Sequence, residues 1–422
     1  MEKFIITGGA SLKGEVIVSG SKNSAVALLP AALITESEVT IENLPDIKDI
    51  FTLIELISFL GARVEKNSPD SLTINTENLF QWNAPYDLVK KLRASYYLLG
   101  SLLTRFGRCW VPLPGGCPLG PRPIDQHIKG FTALGARVKL EHGLVKLEAG
   151  ELKGTEIYLD VVSVGATINI MLAAVKAKGK TIIENAAKEP EIIDLANFLN
   201  AIGGEVVGAG TDVIKISGVR HLKGAEHMVI PDRIEAGTFI IAAASTNGEV
   251  KVKEVIPKHL DAVIAKLREV GVELEVGEDW VTVKGCAQPK PVSIKTFPYP
   301  GFPTDLQALF MPILTKAKGS SIITENVFEG RFKHVDELKR MGADITVEGR
   351  TAVINGNGGC PITGAPVKAT DLRAGAAFII AGLVAEGDTV ISGINHIERG
   401  YENIEEKFNK IGAGIKKVKL ED

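Results

Sequence analysis

Cysteine is scarce and scattered: four residues in 422 (Cys109, Cys117, Cys286, Cys360), none in a CxxC pair, which excludes a disulfide framework. The seven histidines show no HxxxH or HxH spacing, so a zinc site has no support either. Charge of one sign is missing too. The 48 basic and 51 acidic side chains leave −3 with no basic run, which argues against a dedicated nucleic-acid binder. Long apolar runs are absent. Stretches such as Ala25 to Ile34 fall short of the roughly 18 residues a membrane span needs. The opening MEKFIITGG has neither the apolar core nor the cleavage site of a signal peptide, so the expected location is the cytoplasm, where thiols stay reduced. No Walker loop, GxGxxG after a strand, or HExxH is found. What remains, 45% hydrophobic and 23% charged residues over 422 positions, is an ordinary globular composition with room for two or three domains.

An internal repeat is the strongest architectural signal. A leucine- or isoleucine-rich segment, a glycine turn and a short apolar strand recur six times, as in ISFLGARVEK, KLREVGVELEV and ELKRMGADITV. The turn glycines are Gly61, Gly135, Gly203, Gly271, Gly342 and Gly412, separated by 74, 68, 68, 71 and 70 residues. Upstream in most copies lies an alanine-rich stretch, a turn and a strand, as in AAVKAKGKTIIENAA; only LLTRFGRCWVPLPGG in the second copy blurs this marker. Each unit reads as strands plus two helices, one alanine-rich and buried, the other amphipathic and ended by its glycine. Solenoid units are usually 20–45 residues, and these are longer and mixed α/β. Two domains of three units each is the expected arrangement.

Several segments carry chemistry. Seven of the eleven residues from Leu113 to Pro123 are Gly or Pro, so this stretch cannot be helix or interior strand. It presents Cys117 at its centre, either as a reactive thiol on a lid or as an incidental loop cysteine. Cys109, Cys286 and Cys360 have no such setting and read as inert. Lys22 and Asn23 head the first alanine-rich helix, where backbone N–H groups already favour an anion, though lysines near helix starts are often merely solvated. Arg93 interrupts an apolar face in KLRASYYLLG. Asp305 follows a proline-rich turn in PYPGFPTDLQ, placed to cap the next helix or to act as a base, with the cap favoured by the local sequence. ATDLRAG (Asp371, Arg373) and HIERGY (Arg399) form charged islands suited to phosphate or carboxylate recognition, or to surface ion pairs. Scattered cations, one loop thiol and a carboxylate suit an anionic substrate and proton transfer rather than redox chemistry.

Taken together, SKN, LPGGCxxGxRP, VSVGAT, PDRIExGTF, FPTDxQ, TDLRA and HIxRGYE resemble, along the whole chain, the UDP-N-acetylglucosamine 1-carboxyvinyltransferase family of enolpyruvyl transferases. The resemblance implies an inside-out α/β barrel: two domains, each three βαβαββ units, one spanning 22–230 and the other 1–21 plus 231–422, with the active site in the interdomain cleft. The implied reaction moves the enolpyruvyl group of phosphoenolpyruvate to the 3′-hydroxyl of UDP-N-acetylglucosamine through a tetrahedral ketal, releasing phosphate. This would be the first committed step of peptidoglycan synthesis. It implies Cys117 as proton donor, fosfomycin target and site of a pyruvate-type adduct, and Asp305 as the carboxylate that takes the hydroxyl proton. Lys22, Arg122 and Arg399, with Asn23, would hold phosphoenolpyruvate. Asn23, Arg93, Arg122, Pro123, Ile124, Asp125, Gln126, Ser163, Val164, Gly165, Asp305 and Val327 would contact the sugar nucleotide, and Asp371 and Arg373 would complete the closed site. No cofactor or metal is implied beyond the co-substrate, no nucleic acid or membrane partner, and a monomer or weak homo-oligomer. One departure is Val161, where some members carry a lysine before VSVGAT. The sister enzyme acting on shikimate 3-phosphate lacks the LPGGC loop. A catalytically silent paralogue that binds sugar nucleotide would have no use for Cys117 and Asp305, and both are present.

Overall fold

The computed structural model describes residues 2–113, 123–359 and 362–419. All six repeat glycines end a helix in the left-handed region, with φ of +106, +94, +97, +101, +90 and +95° in chain order. At each one the following N–H reaches back to a carbonyl five residues earlier (Ala62 to Ile57, Ala136 to Phe131, Gly204 to Leu199, Val272 to Leu267, Ala343 to Leu338, Ala413 to Phe408) at 2.8–3.1 Å. This closing bond satisfies a helix-end carbonyl and needs a residue without a Cβ at the turn.

The third unit shows the whole repeat: strand Glu156–Tyr158, helix Val164–Ala174, strand Lys180–Glu184, helix Pro190–Ala201, then strands Glu205–Val207 and Val213–Ser217. The leading strand lies parallel to the second (Ile157 opposite Ile183), and the others pair antiparallel (Ile183 opposite Ile214). Among the described residues, five of the six sheets have four strands in this order. The second unit has three described strands, and its leading strand shrinks to a single parallel bridge between Asn83 and Trp110. That is the unit whose sequence marker is blurred.

Three sheets are completed by strands from elsewhere in the chain. Glu226–Met228 lies parallel to Glu38–Glu42 in the first unit, and Lys13–Ile17 lies parallel to Glu249–Lys253 in the fourth. Glu2–Thr7 inserts between Asp388–Ser392 and Gly414–Lys419 in the sixth. The chain therefore divides into two compact parts, the first bounded by residues 20 and 230 and the second formed by the segment ending at 19 with the segment beginning at 231. Ser21 N–H donates to the Ile230 carbonyl at 2.7 Å within the first, and Asp232 N–H to the Ser19 carbonyl at 2.9 Å within the second.

Each part has its own hydrophobic core. In the second part, the apolar helices Arg233–Ser245, Gln307–Thr315 and Leu372–Val384, the first and last rich in alanine, pack against one another. They are buried on every face: Leu372–Val384 exposes only its first residue. Small side chains permit this close approach. The sheets lie outside the helices and alternate buried with exposed residues, as Val213–Ser217 and Trp280–Lys284 do in their respective parts. Among the described residues no helix is long and apolar enough to cross a membrane.

Candidate active site

In the first part, the functional candidates gather at two helix N-termini. Ser21 caps Lys22–Ala32 by accepting from Ser24 N–H, and the first turn itself carries no acidic residue, so the carboxylates that face this positive end come from elsewhere in the chain. Lys22 lies 2.6 Å from the buried carboxylate of Asp49. Asn23 Nδ2 donates to Glu191 Oε1 at 3.5 Å, and Ser24 Oγ donates to Asp194. Asp194 also pairs with His227 Nε2 at 2.8 Å. Buried acids thus hold the lysine and asparagine in place. Asp49, Glu191, Asp194 and His227 carry no local sequence signal, because their partners lie far away in the chain.

The second N-terminus belongs to Val164–Ala174. Ser163 Oγ accepts from Ala166 N–H at 3.3 Å, and this first turn also lacks an acid. A side chain at Gly165 would place its Cβ 2.6 Å from Tyr96 Oη and 2.9 Å from His127 Nε2, so glycine is required by contact here. His127 is buried, and among the described residues neither ring nitrogen has a hydrogen-bond partner. Burial depresses its pKa to about 4, with the Arg93 charge adding to the effect and Asp125 opposing it. Arg93 itself opens the 3-10 turn Arg93–Tyr97 and is partly buried. Gln126 spends its amide internally: Nε2 donates to Asp125 (2.8 Å) and Asp160 (3.2 Å), and Oε1 accepts from Asp160 N–H (2.9 Å). It ties the Asp125–Ala133 helix to the segment leading into Ser163. Pro123 is exposed, and Ile124 packs against the core. Val161 is 59% exposed. Cys117 and Arg122 lie outside the described residues, as does Cys360. Burial pushes the Cys109 and Cys286 thiols up, which keeps both protonated at neutral pH.

In the second part, Asp305 is the centre. The favoured reading of it as a helix cap does not hold: the Gln307–Thr315 helix starts from Leu306, and neither it nor the 3-10 turn Thr304–Leu306 has a side-chain cap. Instead Oδ1 accepts from Arg331 Nη2 at 2.6 Å, and Oδ2 accepts from Arg373 Nε and lies 3.0 Å from its Nη2. Burial alone would raise the Asp305 pKa, but the two guanidiniums outweigh it and hold the carboxyl well below the usual carboxylate range. Arg373 lies 5.3 Å over the Tyr401 ring. The Tyr401 hydroxyl in turn donates to Thr238 Oγ1 (2.8 Å), whose own proton goes to the Ile234 carbonyl. Asp371 caps Leu372–Val384, accepting from Arg373 and Ala374 N–H at 3.0 Å each. It sets the first turn from which Arg373 projects. Arg399 is partly buried. Burial, and next the Arg399 charge, hold the His396 pKa below its ordinary value. Val327 N–H donates to Glu325. Arg331 sits in EGRFKH, a context indistinguishable from a surface arginine. Among the described residues no group of three or more His, Cys, Asp or Glu could hold a metal ion.

A family model described as EPSP synthase (3-phosphoshikimate 1-carboxyvinyltransferase) matches residues 6–408. UDP-N-acetylglucosamine 1-carboxyvinyltransferase 2 of Geobacillus kaustophilus is 58% identical over 422 residues, 100% of this chain and 98% of the relative. UDP-N-acetylglucosamine 1-carboxyvinyltransferase 3 of Caldanaerobacter subterraneus is 56% identical, covering 99% and 100%. Among solved structures, the enolpyruvyl transferase NikO from Streptomyces tendae superposes with a TM-score of 0.90 at 27% identity over 99% of both chains. EPSP synthase from Acinetobacter baumannii has the same fold, with a TM-score of 0.77 at 21% identity over 99% of this chain and 100% of its own. The fold expected from the sequence, an inside-out α/β barrel of repeated βαβαββ units, is the fold of these structures.

Proposed function

Because the chain belongs to the EPSP synthase family of enolpyruvyl (carboxyvinyl) transferases, we propose that it acts on UDP-N-acetylglucosamine, moving the enolpyruvyl group of phosphoenolpyruvate to its 3′-hydroxyl with release of phosphate. The observation that carries this substrate choice is the 56–58% identity, over essentially the full length, to relatives bearing that name. In this reading the enzyme serves the first committed step of peptidoglycan synthesis.

The roles follow the family resemblance. Cys117 gives its thiol proton to carbon 3 of phosphoenolpyruvate, making carbon 2 electrophilic. The sugar 3′-oxygen bonds to carbon 2 while its proton passes to Asp305, giving the tetrahedral ketal. A proton then leaves carbon 3 as phosphate departs from carbon 2, which restores the double bond on the product. Lys22, Asn23, Arg122 and Arg399 hold the phosphate and carboxylate of phosphoenolpyruvate, and gathered cations stabilise the shifting charge. Arg93, Pro123 to Gln126, Ser163 to Gly165 and Val327 receive the sugar nucleotide. The open end of the Val164–Ala174 helix supports a place for its diphosphate, a contact that matters more where Val161 replaces a lysine. Asp305, as paired here, is a poor base. Its role requires the substrates to draw Arg331 or Arg373 partly away before proton transfer.

The test measures phosphate release from phosphoenolpyruvate with UDP-N-acetylglucosamine, and in parallel with shikimate 3-phosphate, the substrate in the family model's own description. Release with the sugar nucleotide alone is expected, blocked by fosfomycin in the wild type but not in Cys117→Asp. Release with shikimate 3-phosphate, or silence in both wells from folded protein, would overturn the proposal.

A further inference from the structure

We propose that Glu325 is a positioning residue for this reaction, one buried carboxylate that fixes both the base Asp305 and the nucleotide contact Val327. The inference rests on the functional reading above. Glu325 is fully buried. Its Oε1 accepts from Thr296 Oγ1 (2.8 Å), Val327 N–H (2.8 Å) and Phe328 N–H (3.0 Å), and its Oε2 accepts from Thr304 Oγ1 (2.8 Å). Three neutral donors converge on Oε1 and one meets Oε2, so the carboxylate acts toward all four as acceptor only.

The consequence travels through Thr304. Its single hydroxyl proton is committed to Glu325, which leaves its lone pairs facing Arg331 Nη1 at 2.8 Å. Arg331 is held by that contact and turns its Nη2 to Asp305 Oδ1 at 2.6 Å. Gln307 Nε2 pins the Arg331 carbonyl at 3.0 Å. A continuous chain of bonds thus runs Val327, Glu325, Thr304, Arg331, Asp305. Thr296 braces it from the other side, donating to Glu325 while accepting from Asn326 N–H at 2.9 Å. The two ends are the nucleotide contact and the base, and Glu325 joins them. Replacing its carboxylate by an amide puts an N–H₂ or a lost charge where Thr304 now donates. The hydroxyl must then turn, and Arg331 loses its fixed acceptor.

The experiment compares Glu325→Gln, Thr304→Val and Thr304→Ser in steady-state transfer to UDP-N-acetylglucosamine, with thermal melting of each. Glu325→Gln is expected to lower kcat by on the order of tenfold. It should also raise the sugar-nucleotide KM severalfold and leave the phosphoenolpyruvate KM within about twofold, since only one substrate meets this chain of bonds. Thr304→Val cuts the link to Arg331 but spares the Val327 bond, so it should lower kcat without the KM change, and Thr304→Ser should restore kcat. If Glu325→Gln does not fold, the Thr304 pair decides. Folded Glu325→Gln or Thr304→Val with wild-type kcat and KM would overturn this inference alone. A wild type that transfers nothing to the sugar nucleotide would overturn it together with the functional reading.

Discussion

At the scale of the residue, the dominant feature is a carboxylate between two guanidiniums. Asp305 is stabilised as an anion by Arg331 and Arg373, and each of those buried cations depends on it as counter-ion. Removing one member of such a group leaves an uncompensated buried charge, so Asp305→Asn should destabilise the second part by on the order of 3 kcal/mol at neutral pH. The pH dependence follows from the sign of the shift. The folded pKa lies below that of the unfolded chain, so the stabilisation is complete above about pH 4 and is lost as pH falls further. The gap in melting temperature between wild type and Asp305→Asn should therefore be largest near pH 7 and shrink below about pH 4. Equal gaps at pH 7 and pH 3 would contradict this account. Asp305 and Arg373 stood out in the sequence as charges among apolar residues, but their pairing across 68 positions did not. The local pattern favoured a cap at Asp305, and tertiary ion pairing overrode it. Arg331, Asp49 and Glu191 were invisible because nothing in their own neighbourhoods marks a buried charge.

Elements show how much of the fold is locally written. The six turn glycines were legible because the chemistry that ends a helix with a left-handed residue is confined to a few neighbours. The blurred second marker still folds as helix Leu98–Phe106 and strand Arg108–Pro112, and the shortened leading strand of that unit, one bridge at Asn83, lies upstream of it and was not legible. Two glycines separate conformational from steric need. At Gly271, φ is +101° and an added Cβ would have only Cys286 Sγ at 4.0 Å, so there is room but the wrong backbone region. Gly271→Ala should cost about 1 kcal/mol, and Gly271→Asn less, because asparagine tolerates the left-handed region. At Gly130 the backbone is ordinary, but a Cβ would meet Ile170 Cγ1 at 2.3 Å, so Gly130→Ala should cost about 1–3 kcal/mol through overpacking. Pairing it with Ile170→Val should recover part of that loss. Denaturant titration of six proteins (wild type, Gly271→Ala, Gly271→Asn, Gly130→Ala, Ile170→Val and the double variant) measures both effects, and an additive Gly130→Ala/Ile170→Val pair would refute the steric account.

For the whole molecule, the count of six was readable from spacing. Near-equal spacings mark no break after the third unit, so the division into threes was a preferred arrangement that the family resemblance also implies. The exchange of strands was not readable, because a strand sequence does not say which sheet it joins. Glu2–Thr7 pairs on both sides and buries Phe4 and Ile6 completely. Burying two such side chains contributes roughly 3–6 kcal/mol. Deleting residues 2–7 should therefore strip hydrogen-exchange protection from Asp388–Ser392 and Gly414–Lys419. Strand Glu38–Glu42, which belongs to the other core, should keep its protection. Uniform loss across both parts would show that their cores do not stand separately.

The same strand imposes an order on biosynthesis. Its partner Gly414–Lys419 is made some four hundred residues later, and Lys13–Ile17 must likewise wait for Glu249–Lys253. The part bounded by residues 20 and 230, in contrast, has every strand it needs once Glu226–Met228 has left the ribosome. So the growing chain carries the apolar strand Glu2–Thr7 unpaired while residues 20–230 fold. That unpaired edge is a site for chaperone capture or for wrong pairing between neighbouring nascent chains.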